Sequence, residues 1–195
     1  MKMFQESFKE FKDLRAVVVT GLLIALSMVI ESFTINLGFA KINFAFLAIA
    51  AIGMLYGPSV SFFAGAVCDV LGYLVAPDGA FFPLYTVIGA AQGLIYGLIA
   101  YRKLSKRTGK EYDFEMMIRL IIARVIDVVV INLVCNTAAN FHYGFLRDKT
   151  LSAAIAARVA KNLLELPVDI ILIVGVLMAV LKAYTMVFGR RRTAA

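Results

Sequence analysis

The feature that most constrains this chain is a succession of six long apolar blocks separated by charged connectors or turn signals. They run from Ala16 to Phe33, Ile42 to Tyr56, Ser59 to Ala76, Phe81 to Tyr101, Met116 to Ala139 and Leu151 to Phe188. A helix of about 20 apolar residues crosses a bilayer, and a backbone in lipid must satisfy its own polar groups. The blocks therefore predict an all-α integral membrane protein with six transmembrane helices, forming one membrane domain over residues 1–195. The second block is short for a span. The sixth is too long for one straight span, and Pro167 is expected to kink it. With 62% hydrophobic and 17% charged residues in 195, no large water-soluble domain fits beside these blocks. No repeat or low-complexity segment stands out. The segment before the first block, FQESFKEFKDLR (Phe4 to Arg15), is charged and amphiphilic and lacks a cleavage signal.

The net charge of +7 does not point to nucleic acid, because the basic residues cluster at the ends of the apolar blocks. Lys2, Lys9, Lys12 and Arg15 precede the first block. Arg102, Lys103, Lys106, Arg107, Lys110 and Arg119 surround the fourth connector, and Lys182 with Arg190 to Arg192 closes the chain. In a six-span arrangement these groups share one side, and only Lys41, Arg147 and Lys149 lie on the other. The positive-inside rule then places both termini in the cytoplasm. Cys68 and Cys135 fall inside the blocks, where a free cysteine is a small packing residue; their surroundings lack metal-site spacing.

Polar residues inside the blocks carry the functional information. Arg158, Lys161, Asn162, Glu165 and Asp169 fall within roughly 100° of arc at about 100° per residue, a single polar stripe on an apolar helix. An ionisable group in the bilayer core costs about 2.5–3.5 kcal/mol or more, so the stripe faces protein, water or a ligand. At about 1.5 Å of rise per residue two layers emerge. In the deeper one Arg124, beside Asp127, can pair with Glu165 or Asp169. The outer one gathers Asn132, Asn136, Arg158, Lys161 and Asn162, with Asp69 as the nearest acid. Tyr73, Phe81, Phe82, Tyr85, Phe141, Tyr143 and Phe145 lie near the outer rim, either as an interfacial belt or as a clamp for a flat ring. Such a pocket suits an organic anion with amide-like edges. Small residues repeat at i, i+4 in the first block (Ala16, Thr20, Gly21, Ala25) and around the third (Gly57, Ser61, Gly65, Asp69), with Ala45, Ala48, Ala51 and Gly53 near the second. They serve internal packing or a docking face for another membrane subunit.

Four segments together resemble the substrate-binding S components of energy-coupling factor (ECF) vitamin transporters, most closely the folate-type branch. They are GMLYGP (Gly53 to Pro58), DVLGYLVAPDGAFFP (Asp69 to Pro83), CNTAANFHYG (Cys135 to Gly144) and ARVAKNLLELP (Ala157 to Pro167). The chain departs from that branch at Ala138 and Ala139, where an aromatic and a leucine often follow the N-T pair. The resemblance implies capture of folate from outside and delivery by toppling in the membrane on a coupling module. That module comprises a transmembrane coupling subunit, met chiefly by the first three helices, and two ABC ATPases. The chain has no G-x-x-x-x-G-K-[ST] loop, so ATP hydrolysis falls to partners, and no cofactor is called for. Folate chemistry matches the residues: Asp69 and Asn136 for the heterocycle, Arg158 and Lys161 for carboxylates or carbonyls, Asn162 as a further polar contact, and Tyr73 and Phe82 for the rings. Riboflavin or pantothenate as ligand remains an alternative. A membrane-embedded enzyme built on Asp69, Glu165, Asp169 and His142 is a third reading, disfavoured because His142 has no ligand or base motif around it.

Overall fold

Helices occupy all six apolar blocks. The structure, a computed structural model, describes residues 2–33, 35–36, 41–75, 80–102, 110–145 and 151–188. The elements are α1 (Lys2–Glu10), α2 (Leu14–Ser32), α3 (Phe46–Tyr56), α4 (Pro58–Val75), α5 (Pro83–Ala100), α6 (Lys110–Asp127), a π-helical segment (Val128–Cys135), α7 (Asn136–His142) and α8 (Leu151–Phe188). Extended pairing among the described residues is limited to an antiparallel ladder of two residues a side, β1 (Ile35–Asn36) on β2 (Lys41–Ile42). The architecture is thus all-helical in substance. Of the basic and turn residues used for topology, Lys103, Lys106, Arg107, Arg147, Lys149, Arg190 to Arg192 and Pro77 to Gly79 lie outside the described residues.

Among the described residues four helices are long and apolar enough to cross a membrane: α2, α4, α5 and the Ile155–Phe188 part of α8. Their outward faces are apolar: on α2, for instance, Leu14, Val17, Val18, Leu22, Leu26 and Val29 are exposed, while Ala16 and Ser27 point inward. The second block starts later than its hydropathy predicts. Ile42 belongs to β2, and the Asn43 Oδ1 accepts the Ala45 N–H at 2.7 Å, so helix begins only at Phe46. All eleven residues of α3 are buried. Packed around it, Tyr96, Met116, Leu120, Ile173 and Leu177 complete the main core. The sixth block forms a single helix of 38 residues that runs on through Pro167.

Two glycine arrangements decide how tightly the bundle closes. Gly57 ends α3 at φ 85°, a left-handed conformation that a side chain disfavours, and Pro58 then opens α4 with its fixed φ. Along α4 and α5 the backbones nearly touch: a Cβ on Gly65 would lie 2.1 Å from the Gly89 carbonyl oxygen, and one on Gly93 would lie 1.9 Å from that of Ser61. The Ser61 hydroxyl donates to the Gly93 carbonyl at 2.7 Å across this seam. The Ser61 and Gly65 repeat is therefore internal packing, whereas Gly21 on α2 has open space around it. Gly93→Ala is expected to destabilise the protein by about 1–3 kcal/mol through overpacking, and Gly21→Ala to leave stability unchanged. Paired melting curves in detergent check this.

The helices also sort the chain into two ends. At one end α1 packs on the α3–α4 junction, Gly57 lies against Tyr101, and Tyr56 meets Tyr184 at 5.9 Å between ring centroids. At the other, Phe82 before α5 meets Tyr143 after α7.

Candidate ligand-binding site

Because α3 is short, the space beyond its N-terminus is left to the longer helices, and a cavity of about 950 Å³ opens there. That volume sits at the top of the roughly 300–1,000 Å³ range of small-molecule sites. Asn43, Ala45, Phe46 and Ile49 line it from the α3 side, with α2, α4, α5, the π segment and α8 around them.

One wall is acidic. Glu31 of α2 and Asp69 of α4 both line the cavity, and the Asp69 Oδ2 accepts a hydrogen bond from the Thr86 hydroxyl at 2.5 Å. The Glu31 carboxylate comes close to α4 because Gly72 has no side chain: a Cβ there would sit 3.1 Å from Glu31 Oε2. Cys68 on this wall shares a hydrogen bond with the Ser27 hydroxyl at 3.3 Å.

The facing wall comes from the polar stripe of α8. Lys161 and Glu165 line the cavity and pair at 3.5 Å, one turn apart. Glu165 Oε1 is buried without a hydrogen-bond partner among the described residues. On the same face Asn162 and Asp169 are buried, whereas Leu163, Leu164, Val168 and Ile171 point outward. The π segment adds Asn132 to this wall. Each π turn holds an extra residue, seen in the Asn136 N–H bonding the Ile131 carbonyl, and such segments are frequent at functional sites. Asn132 then anchors a polar chain. Its amide donates to Asn162 Oδ1 at 3.3 Å, it accepts from the Asn136 amide at 3.4 Å, and its backbone carbonyl accepts from Arg158 Nη1 at 3.1 Å.

The floor is a buried charge cluster. Arg124 lines the cavity and bridges two carboxylates, Nη1 to Asp127 and Nη2 to Asp169, each at 2.7 Å. The Asp127 carboxylate also accepts from the Tyr96 hydroxyl at 3.0 Å and the Gln92 amide at 3.2 Å. The Arg124 guanidinium lies 3.6 Å over the Phe46 ring. The mouth is aromatic. Phe82 meets Tyr143 at 4.3 Å and Phe145 at 5.4 Å between centroids, Tyr73 meets Phe81 at 5.1 Å, and the Tyr85 hydroxyl bonds Asn140.

Of the residues singled out from sequence, Asp69, Tyr73, Phe82 and Lys161 line the cavity. Asn136, Arg158 and Asn162 stand behind its wall in the chain centred on Asn132. In the deeper layer one open alternative is resolved and one expectation changes. Arg124 takes Asp169 and Asp127 rather than Glu165, which turns to Lys161 one turn away. The cluster is also the cavity floor, not a separate stratum. Exposed Phe141 stands apart from the ring contacts of the mouth.

Over residues 12–186 the sequence matches the family model described as "ECF-type riboflavin transporter, S component". This chain belongs to the ECF-type S components. Among relatives of this S component, the folate transporter FolT of Clostridium novyi (strain NT) is 30% identical over 165 residues, covering 84% of this chain and 88% of the relative. FolT of Leuconostoc mesenteroides is 30% identical over 159 residues, covering 81% and 82%. The crystal structure of FolT bound with folic acid superposes with a TM-score of 0.66 at 28% identity, covering 82% of this chain and 90% of that one. The family is one of membrane transporter components, not enzymes, in keeping with the four apolar helices long enough to span.

Glu31, Gln92 and Thr86 were not picked out from the sequence of this S component. Glu31 and Gln92 carried a usable signal, since each is a strongly polar residue inside an apolar block, the same criterion that marked Asp69.

Proposed function

We propose that this chain is the folate-binding S component of an ECF-type transporter. The observation that carries this reading is the division of one cavity into an acidic wall at Glu31 and Asp69, a cationic and amide wall at Lys161 and Asn132, and an aromatic mouth. Folate has matching parts: a flat pterin with adjacent donor groups that a carboxylate can accept, an aromatic linker, and a glutamate tail with two carboxylates. Arg158 stands beside Lys161 on α8, and no carboxylate of the described residues lies within ion-pair distance of it, so an anion is its natural partner. Asp69, Tyr73, Phe82, Asn136, Arg158, Lys161 and Asn162 form the proposed site, with Glu31 added. The FolT relatives support the choice of vitamin.

In this reading residues 1–195 form one membrane domain of six spans, with α3 as the short second span and α6 through α7 as the fifth. Both termini lie in the cytoplasm, and the aromatic mouth opens outside. Folate is captured there and delivered when the body topples on a transmembrane coupling subunit powered by two ABC ATPases. The exposed Gly21 and Ala25 of α2 would lie on the docking face.

Riboflavin is the competing ligand, because it is the vitamin in the matching family model's description. It has flat rings but no carboxylate, and so offers Arg158 no charged partner. The test is mass spectrometry of small molecules carried through purification, followed by titration of the emptied protein with folate, riboflavin and pantothenate. A bound pteridine and tightest binding of folate are expected. A flavin in the preparation, or riboflavin binding more tightly than folate, overturns the assignment.

A further inference from the structure

The helix ahead of the first span has no part in the cavity, yet it is held firmly. Ser7, fully buried, donates to the Tyr56 carbonyl at 2.7 Å and accepts from the N–H groups of Ser59 at 3.0 Å and Val60 at 3.3 Å. The Ser59 hydroxyl returns a bond to the Phe4 carbonyl at 3.2 Å. One serine thus satisfies the two helix ends at the α3–α4 junction and clamps α1 across it. Since α4 is long enough to span, α1 is fixed at the level where that helix enters the bilayer.

What α1 turns outward is unlike a surface meant for water. Phe8 is 60% exposed, and Phe4 and Phe11 are also exposed. Phe8 contacts Phe11 at 5.5 Å, Phe11 contacts Phe63 of α4 at 5.7 Å, and Phe63 contacts Phe62 at 5.5 Å, so an aromatic band runs from α1 onto the outer face of a spanning helix. Lys9, Lys12 and Arg15 are exposed beside it, while Glu6, Glu10 and Asp13 are partly buried. An outward face of phenylalanines edged by cations, with its acids drawn inward, complements a membrane interface carrying anionic headgroups.

We infer that α1, with the turn after it and the first residues of α2, is an interfacial anchor, lying in the membrane plane with Phe4, Phe8 and Phe11 at the acyl boundary and Lys9, Lys12 and Arg15 on anionic lipid headgroups. The inference does not depend on which compound fills the cavity. Because Ser7 ties α1 to the bundle, any large tilt of the body must pull this face out of the interface. The anchor therefore opposes reorientation of the lone chain.

The chain has no Trp, so a single introduced Trp is a clean reporter. Full-length Phe8→Trp protein, with Phe4→Trp as a second reporter, is reconstituted in vesicles containing phosphatidylcholine or phosphatidylglycerol brominated near the headgroup or near the methyl end of the acyl chain. Leu22→Trp on the exposed face of α2 reports that the body is in the bilayer. Both α1 reporters should be quenched, more by the shallow bromines than by the deep ones. At equal mole fraction, brominated phosphatidylglycerol should be enriched roughly fivefold around them. That excess should vanish in Lys9→Gln/Lys12→Gln/Arg15→Gln protein and in high salt. Quenching of Leu22→Trp without quenching of the α1 reporters overturns the anchor and leaves the membrane reading intact. Quenching without preference between the two lipids overturns the headgroup assignment, and an emission shift of the Phe8→Trp reporter on adding a coupling subunit, with no lipid quenching before or after, overturns the anchor and assigns the face to a protein partner.

Discussion

Arg124→Ala is expected to lower the melting temperature more than any other single change in the polar interior. Arg124, Asp127 and Asp169 are 6%, 0% and 5% exposed at their side chains, and one guanidinium is the ion-pair partner of both carboxylates. Removing it strands two buried acids without their cation. Breaking one buried pair by deleting a partner costs about 3–5 kcal/mol, and here two are broken at once. Arg124→Lys should recover only part of the loss, because an ammonium lacks the fork that sends one nitrogen to each acid. Adding Asp127→Asn or Asp169→Asn to Arg124→Ala should restore part of the stability, since one of the two stranded charges is then gone. Thermal unfolding of the set decides it. No recovery in the double variants would mean that the arginine acts through its packing on Phe46 instead of through charge.

Arg158→Ala should weaken folate binding strongly while leaving the fold in place. The side chain is half-buried, and its bond to the Asn132 carbonyl is its only protein contact among the described hydrogen bonds. Reaching a ligand requires the guanidinium to turn from the Asn132 carbonyl into the cavity, and the charge-assisted bond to a ligand carboxylate is then worth about 1.5–3 kcal/mol, roughly ten- to more than a hundredfold in the dissociation constant. Melting temperature and folate dissociation constant, measured on the same preparation, separate the two arginines: Arg124→Ala falls first in stability, Arg158→Ala first in affinity. A variant of Arg158 that binds normally but melts early makes the Asn132 chain a structural brace and moves the anion site to Lys161.

How far the sequence could be read follows from the solvent it is written for. Lipid forbids unpaired backbone, so long apolar blocks translate directly into helices, and the ends of α2, α4, α5 and α8 fall within a few residues of the block boundaries. The inward face of α8 was legible for the same reason, because charge in a span has only one tolerable direction. Other features were not legible. The π segment carries no mark in Val128–Cys135, yet its wider turns rotate every later side chain, so a 3.6-residue period misplaces Asn136 relative to Asn132. The partner of Arg124 was ambiguous because Glu165 and Asp169 are one turn apart on one face, and only the relative height of α6 and α8 chooses between them. Small residues on α4 and α2 looked alike in sequence. What distinguishes them is whether another backbone lies opposite, as α5 does for Gly65 and as nothing does for Gly21.

The wholly enclosed α3 has a bearing on how the chain is made. At eleven residues it rises about 16 Å, half of a hydrocarbon core of about 30 Å, and it has no outward face to offer to lipid. Such a segment cannot wait alone in the bilayer as a finished span while the rest is synthesised. Joined to α4 by the single residue Gly57, it enters most readily as half of a helical hairpin, and its final seat exists only once Met116, Leu120, Ile173 and Leu177 have arrived from α6 and α8. The later-made α8 therefore closes the core around the earlier-made α3, and chains truncated before α8 should be recognised by quality-control proteases as unfinished.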